Sequence, residues 1–253
     1  MKLAIMQPYF FPYLGYFQLI NAADKFILYD NLNYIKYGWV NRNRLVVNGK
    51  PVFMIVPVLE KSSFLKIRDV QIDHTSRWKR KVLKTIYLNY KKRLFFDEIF
   101  PMLEKIINTD ATYLTEINCA TVRKIAEYLD VPTEIVTDIS NYEPLENDLS
   151  LSDSEINTFY LREQNLSDTK TIRVLCICKD EQADTFVNAV GGQALYDKKI
   201  FKRNGIDLYF IHSLPYLYEQ NSKEFIRDMS IIDVLMNCGK TGTQQLLNNY
   251  ELI

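Results

Sequence analysis

Residues 6–20 read MQPYFFPYLGYFQLI, and this stretch decides the fold. The apolar run before it, KLAIM, has strand character, and Pro8 and Pro12 interrupt any regular element. From Leu14 the apolar spacing turns helical as far as about Ala23, and KFILYD (residues 25–30) then reads as a second strand. A strand, a proline-aromatic loop, a helix and another strand form the opening of an α/β fold. The expectation is a mixed or mostly parallel sheet flanked by helices, with RNRLVVNGKPVFMIVPV (residues 42–58) inserted as a β-hairpin that turns at Asn48-Gly49.

Beyond the hairpin the pattern is helical from about Arg77 to Ile107, with Trp78, Val82 and Ile86 at four-residue steps and Lys/Arg between them. A further helix covers about Ala111 to Leu129, and TEIVTDIS reads as a strand. The polar stretch NYEPLENDLSLSDS, residues 141–154, lacks periodicity and reads as a surface loop or a seam between two lobes of one 1–253 domain. TIRVLCICK then reads as a strand that would put Cys176 and Cys178 on one face, and DEQADTFVNAV as a helix. FKRNGIDLYFIH supplies another strand, and SIIDVLMNCGKTGTQQLL a closing helix with Ser230 at its N-cap and Asp233 as the acid of a capping box.

Composition narrows the function classes. An apolar fraction of 47% across 253 residues is ample for a core, and 31 Lys+Arg balance 31 Asp+Glu. That balance argues against broad electrostatic binding to nucleic acid or acidic lipid, while leaving room for local basic patches. No apolar run reaches the roughly 18 residues of a membrane span, and the N-terminus lacks a signal-peptide pattern. The expectation is a cytoplasmic protein with no membrane partner and four cysteines kept as thiols. No Cys/His spacing suggests a metal site.

In open α/β sheets, ligands bind beyond the carboxyl ends of strands, where a loop enters a helix. The 7–13 loop holds that place. Gln7 offers donors and an acceptor, Gly15 permits close approach, and Tyr9, Tyr13 and Tyr16 add planar faces with polar tips. Phe10, Phe11 and Phe17 read as core. In YDNLNYIKYGWVNRNRL (residues 29–45), Asp30 ends a strand, and Lys36, Arg42 and Arg44 lie among Trp39, Asn41 and Asn43. On an extended segment Arg42 and Arg44 share a face and could fork around a diphosphate. Of the two histidines, His212 ends a strand, while His74 beside Asp73 is the preferred candidate base. Neither a P-loop nor a nucleophile elbow is present.

The position of Pro-Tyr-Leu-Gly-Tyr resembles that of the His-x-Gly-His loop of nucleotidyltransferases and pantothenate-synthetase-like ligases. Tyr13 and Tyr16 stand at the histidine places and cannot supply the same cationic stabilisation of a triphosphate, so the position carries over with less support for adenylyl transfer. Taken whole, residues 6–45 resemble the opening signature of the WbqC-like protein family, and MSIIDVLMNCG its closing one, with NAVGGQALYD and FKRNGIDLYF between them in order. The resemblance implies work in O-antigen or surface-polysaccharide synthesis: a transferase or ligase that places a glycyl-type acyl group on the amine of a nucleotide-linked amino sugar such as dTDP-4-amino-4,6-dideoxyglucose. The alternative is a sugar-nucleotide-binding or assembly protein of the same pathway without turnover. A small acyl or amino-acid donor is implied, with ATP or aminoacyl-tRNA as candidate sources. Carried over residue by residue, Gln7, Pro8, Pro12, Gly15, Asp30, Trp39, Asn41 and Arg42 match the first motif. Gly191, Gly192, Tyr196, Ser230, Asp233, Asn237 and Gly239 match the later ones. Relatives carry a histidine in the helix after the tryptophan where this chain has Val82, which leaves His74 or Asp30 for the proton.

Overall fold

The computed structural model describes residues 1–150 and 168–253. β1 (Lys2–Met6), the 7–13 loop, α1 (Leu14–Ala22) and β2 (Lys25–Leu28) form the expected opening. β3 (Arg42–Val47) and β4 (Lys50–Ile55) pair antiparallel as a separate two-stranded sheet. Asn48 and Gly49 turn the hairpin at φ 49° and 75°, the left-handed backbone its tight connection requires. Then come α2 (Trp78–Tyr90), α3 (Phe96–Ile107), α4 (Leu114–Tyr128) and β5 (Glu134–Val136). They are followed by α5 (Glu143–Leu149), α6 (Thr169–Asp180), β6 (Thr185–Ala189) and α7 (Lys198–Arg203). β7 (Asp207–Ser213), α8 (Ile231–Leu247) and β8 (Tyr250–Leu252) close the chain. Among the described residues no helix is long and apolar enough to cross a membrane.

The main sheet runs β5-β2-β1-β6-β7-β8, parallel except for the β7–β8 pair. Numbered by their order along the chain, its strands lie 3-2-1-4-5-6, the arrangement of doubly wound nucleotide-binding sheets, whose direction of winding reverses between the first and fourth strands. Here that reversal lies between β1 and β6. Both faces are covered, so strand residues alternate between two cores. Ala4, Phe26, Leu28 and Val187 face the side of α1, α4 and α8, and Leu3, Ile27, Phe186 and Leu208 face α6 and α7.

Residues 169–189 invert the expectation from sequence. TIRVLCICK lies in α6 and TFVNA is strand β6. Ile172, Leu175 and Cys178 recur at helical steps on the buried face, and Asp168 caps the helix by accepting from the Lys170 and Thr171 amides. The β-branched run looked extended, but tertiary packing overrides a weak propensity. Cys178 is therefore fully buried while Cys176 sits half-exposed in a different cluster, and the two do not share a strand face. Residues 141–149 are likewise not a loop: Pro144 starts α5, and Glu146 pairs with Arg173 and accepts from the Tyr29 hydroxyl at 2.6 Å, tying α5 to α6 and β2. Residues 151–154 of that stretch lie outside the described residues. The helical run from 77 to 107 is divided between α2 and α3. Ser230 does cap α8, but Asp233 closes no capping box; its carboxylate is spent elsewhere, as described below.

Candidate functional site

The 7–13 loop leaves β1 at the point where the sheet order reverses, and its backbone is held by side chains from distant elements. Asn118, buried in α4, donates through Nδ2 to the carbonyls of Pro8 at 2.9 Å and Val40 at 2.7 Å. The Phe11 carbonyl accepts from Asn43 Nδ2 at 2.7 Å and from Ser230 Oγ at 2.8 Å, and the Ile231 amide donates to Pro12 at 2.9 Å. These bonds converge where Phe11 adopts a left-handed φ of 43°, a conformation that costs about 1–3 kcal/mol and needs such support. The clamp sorts the rings. Phe10, Phe11, Tyr16 and Phe17 are buried, and Tyr16 donates its hydroxyl to the Gln7 carbonyl at 2.8 Å. Tyr9 and Tyr13 turn the other way.

They turn into an open cleft of about 430 Å³ across the carboxyl ends of β1, β6 and β7, a volume within the usual range for ligand sites. Tyr9, Tyr13 and Gly15 form one side, and Trp39, Asn43 and Arg44 form the second. Ala189 and Val190, Ile211 to Ser213, and Arg227 with Asp228 complete it. Gly15 leaves room for the Tyr13 ring: a Cβ on it would lie 2.5 Å from that ring and displace it. Burial pushes the Tyr13 phenol up to about 12, reinforced by Asp228 and Tyr9, and burial also raises Tyr9. Both hydroxyls stay protonated and can donate.

The two arginines of β3 share a face as expected but serve different ends. Arg42 lies 4.4 Å over the Phe53 ring and donates to the carbonyls of Gly38 and Tyr37, so it staples the loop before the hairpin. Arg44 lies 5.4 Å over Trp39 and reaches the Asp228 carbonyl at 3.3 Å through Nη2, while its Nε is buried without a hydrogen-bond partner among the described residues. Of the pair, only Arg44 enters the cleft.

The cleft's far wall hangs on Asp233. Its fully buried carboxylate accepts from Tyr90 at 2.6 Å, Tyr218 at 2.8 Å and Gln220 Nε2 at 2.8 Å. Gln220 in turn accepts from the Ile226 amide at 2.8 Å, fixing the segment that carries Arg227 and Asp228. Burial raises the Asp233 carboxyl, against the pull of those three donors. Asp233 therefore positions the cleft from behind, and Asn237 donates to its backbone carbonyl at 2.6 Å.

Several residues singled out in the sequence do not line the cleft. Asn41 is buried and donates to the Val56 carbonyl at 2.9 Å. Asp30 is buried and accepts from the Thr115 hydroxyl at 2.6 Å, with burial raising its carboxyl. Tyr196 packs edge-on to Phe186 and Phe201. Lys36 and His74 are exposed on loops, Gln7 contributes its carbonyl to Tyr16, and Gly191 and Gly192 turn the chain just past Val190. His212, ranked below His74 in the sequence, is the histidine that the fold brings to the cleft. Asn118, Tyr90, Tyr218, Gln220, Arg227 and Asp228 were missed. An asparagine amid the apolar positions of α4 was a readable sign for Asn118; Tyr90 reaches Asp233 across 143 residues, while Tyr218, Gln220 and the 227–228 segment are set by side-chain bonds spanning 6 to 15 residues that no periodic pattern announces.

Burial raises the thiols of Cys119, Cys176 and Cys238 to about 11 and that of Cys178 to about 12, against nucleophilic use. Among known proteins, the model of the WbqC-like protein family matches residues 7–245. An uncharacterized protein of Mycobacterium tuberculosis, Rv1507c, is 30% identical over 248 residues, which is 97% of each chain. No solved structure matches the chain significantly.

Proposed function

This chain belongs to the WbqC-like protein family, and on that premise we propose that it acylates the amine of a nucleotide-linked amino sugar held in the switch-point cleft. The observation that carries the reading is Arg44, a cation in the crevice where the sheet order reverses, with a buried Nε that has no partner among the described residues. A buried donor left unpaired costs about 1–3 kcal/mol, and a diphosphate oxygen removes that cost while pairing the charge. Arg227 adds a second cation, and Tyr9, Tyr13 and Trp39 offer faces and hydroxyls to a base and a sugar ring.

In this reading the neutral sugar amine attacks the carbonyl carbon of an activated glycyl-type donor. The new C–N bond forms, the bond from that carbon to its carrier oxygen breaks, and the electron pair leaves with the carrier. The proton released by nitrogen passes to His212, with Asp228 across the cleft; His74, outside the cleft lining, is not needed. ATP or aminoacyl-tRNA supplies the activation, and surface-polysaccharide assembly consumes the product.

The test begins with thermal unfolding in the presence of dTDP-, UDP- and GDP-linked sugars. A ligand that binds only the folded chain at a hundredfold excess over its Kd adds about 2.7 kcal/mol of stability, and Arg44→Ala should abolish that gain. No rise with any sugar nucleotide would sink the reading. Incubation of the amino-sugar nucleotide with glycine and ATP, or with glycyl-tRNA, should then yield the amide by mass. Binding without product would assign the chain to the non-catalytic alternative.

A further inference from the structure

We propose that the hairpin and the loop before it form a docking surface for an anionic lipid bilayer. Between Asp30 and Glu60 the sequence contains no acidic residue and four cations, Lys36, Arg42, Arg44 and Lys50, in a chain whose formal net charge is zero. This segment folds as the 31–41 loop and the β3–β4 hairpin, a two-stranded sheet of its own outside the main sheet. Like charges concentrated on one element select an anionic partner.

The same element exposes apolar groups that the core does not use. Tyr37 is 77% exposed, Ile35 54% and Trp39 40%, with Phe53 and Ile55 on the outward face of β4. An antiparallel bridge between Asn33 and Lys66 brings the neighbouring loop alongside, and its Phe64 is 91% exposed. The rings and guanidinium groups among them touch one another. Arg42 stacks on Tyr37 and Phe53, Phe53 lies 6.2 Å from Trp39, and Trp39 carries Arg44.

The mixture identifies the partner. Rings and guanidinium groups alone would also suit single-stranded nucleic acid. Ile35, Ile55 and Phe64 gain nothing from a phosphate backbone, whereas aliphatic groups among interfacial Trp and Tyr and a rim of cations match the headgroup boundary of a bilayer. Lys36 and Lys50, the exposed cations of the segment, meet anionic headgroups. Trp39 and Arg44 also line the cleft, so the cleft opens beside the docked surface.

The chain has two tryptophans and Trp78 is buried, so emission changes on binding report Trp39. The full-length protein should pellet with phosphatidylcholine vesicles containing about one-third phosphatidylglycerol, with a blue shift in emission; each cation near the surface strengthens binding about fivefold at low salt. Vesicles of phosphatidylcholine alone should pellet far less. Phe64→Asp and Ile35→Asp, at exposed positions that folding tolerates, should each weaken pelleting roughly tenfold without moving the thermal midpoint. The proposal is overturned if anionic vesicles fail to pellet the protein or if both aspartate variants bind them as the native chain does. It is equally overturned if light scattering shows a dimer that Phe64→Asp splits, or if a single-stranded oligonucleotide, rather than vesicles, produces the emission shift.

Discussion

The two walls of the cleft both depend on buried polar side chains, yet they are held in opposite ways. The 7–13 loop is gripped at its backbone by neutral groups, Asn118, Asn43 and Ser230, each donating to a carbonyl. The facing segment, with Arg227 and Asp228, is gripped through its side chains, Tyr218 and Gln220, by one buried carboxylate. A wall fastened by amides and a hydroxyl does not titrate, whereas a wall fastened by a carboxylate carries a proton equilibrium in its anchor. The bonds that hold the loop presenting Tyr9 and Tyr13 therefore carry no titrating group, and the Arg227–Asp228 wall is the one whose anchor protonation can alter.

The largest expected effect on this contrast is Asp233→Ala. It strands three donors from α2 and the 218–220 segment, each a buried group worth about 1–3 kcal/mol when unsatisfied. Equilibrium denaturation should show a loss of roughly 3–5 kcal/mol, with hydrogen exchange rising first across residues 216–229. A loss below about 1 kcal/mol would show that the carboxylate does not hold the wall.

Next comes Asn118→Ala, which strips the Pro8 and Val40 carbonyls of their donor at a fully buried site. We expect a loss of about 2–3 kcal/mol. Exchange should increase in residues 7–13 while 216–229 stays protected. Loosening of both walls together would erase the distinction drawn above.

The smallest effect is the pH dependence. Burial raises the Asp233 carboxyl, so the folded chain binds this proton more tightly than the unfolded chain does. The associated stabilisation is fully present below the unfolded-state value and is lost as pH rises through the raised folded-state value. Stability of the native chain minus that of Asp233→Asn should therefore decline on going up in pH from about 4. Asn118→Ala should show no such relative slope, and a flat difference between the native chain and Asp233→Asn would mean that the Asp233 carboxyl is unperturbed.

The sequence made the frame legible wherever local signals agreed. The β1–loop–α1–β2 opening, the Asn48-Gly49 hairpin and the Ser230-capped closing helix each rest on pattern and turn chemistry within a short window. Residues 169–189 failed because a short apolar run rich in β-branched residues fits either element, and only packing against the sheet decides between them. The site divides the same way. Tyr9, Tyr13, Trp39 and Arg44 lie in two dense stretches and were readable, but Tyr16 was turned inward by its bond to Gln7 and Arg42 outward by the Tyr37 and Gly38 carbonyls. Arg227 and Asp228 could not be found from sequence, because what places them is an irregular set of side-chain bonds, from Gln220 to the Ile226 amide and to Asp233, that no periodic pattern marks.

The strand order has a consequence in time as well as in space. β1 pairs on one side with β2, a short loop and one helix away, and on the other with β6, more than half the chain later. The first pairing closes early at small entropic cost, and the second must wait for a long-range closure. A chain emerging from the ribosome can thus complete the Tyr9–Tyr13 loop's own strand pair while the crevice beside it does not yet exist. The cleft comes into being with the docking of β6 and is completed only when residues 211–233 arrive, so binding competence is a property of the finished chain and of no N-terminal fragment.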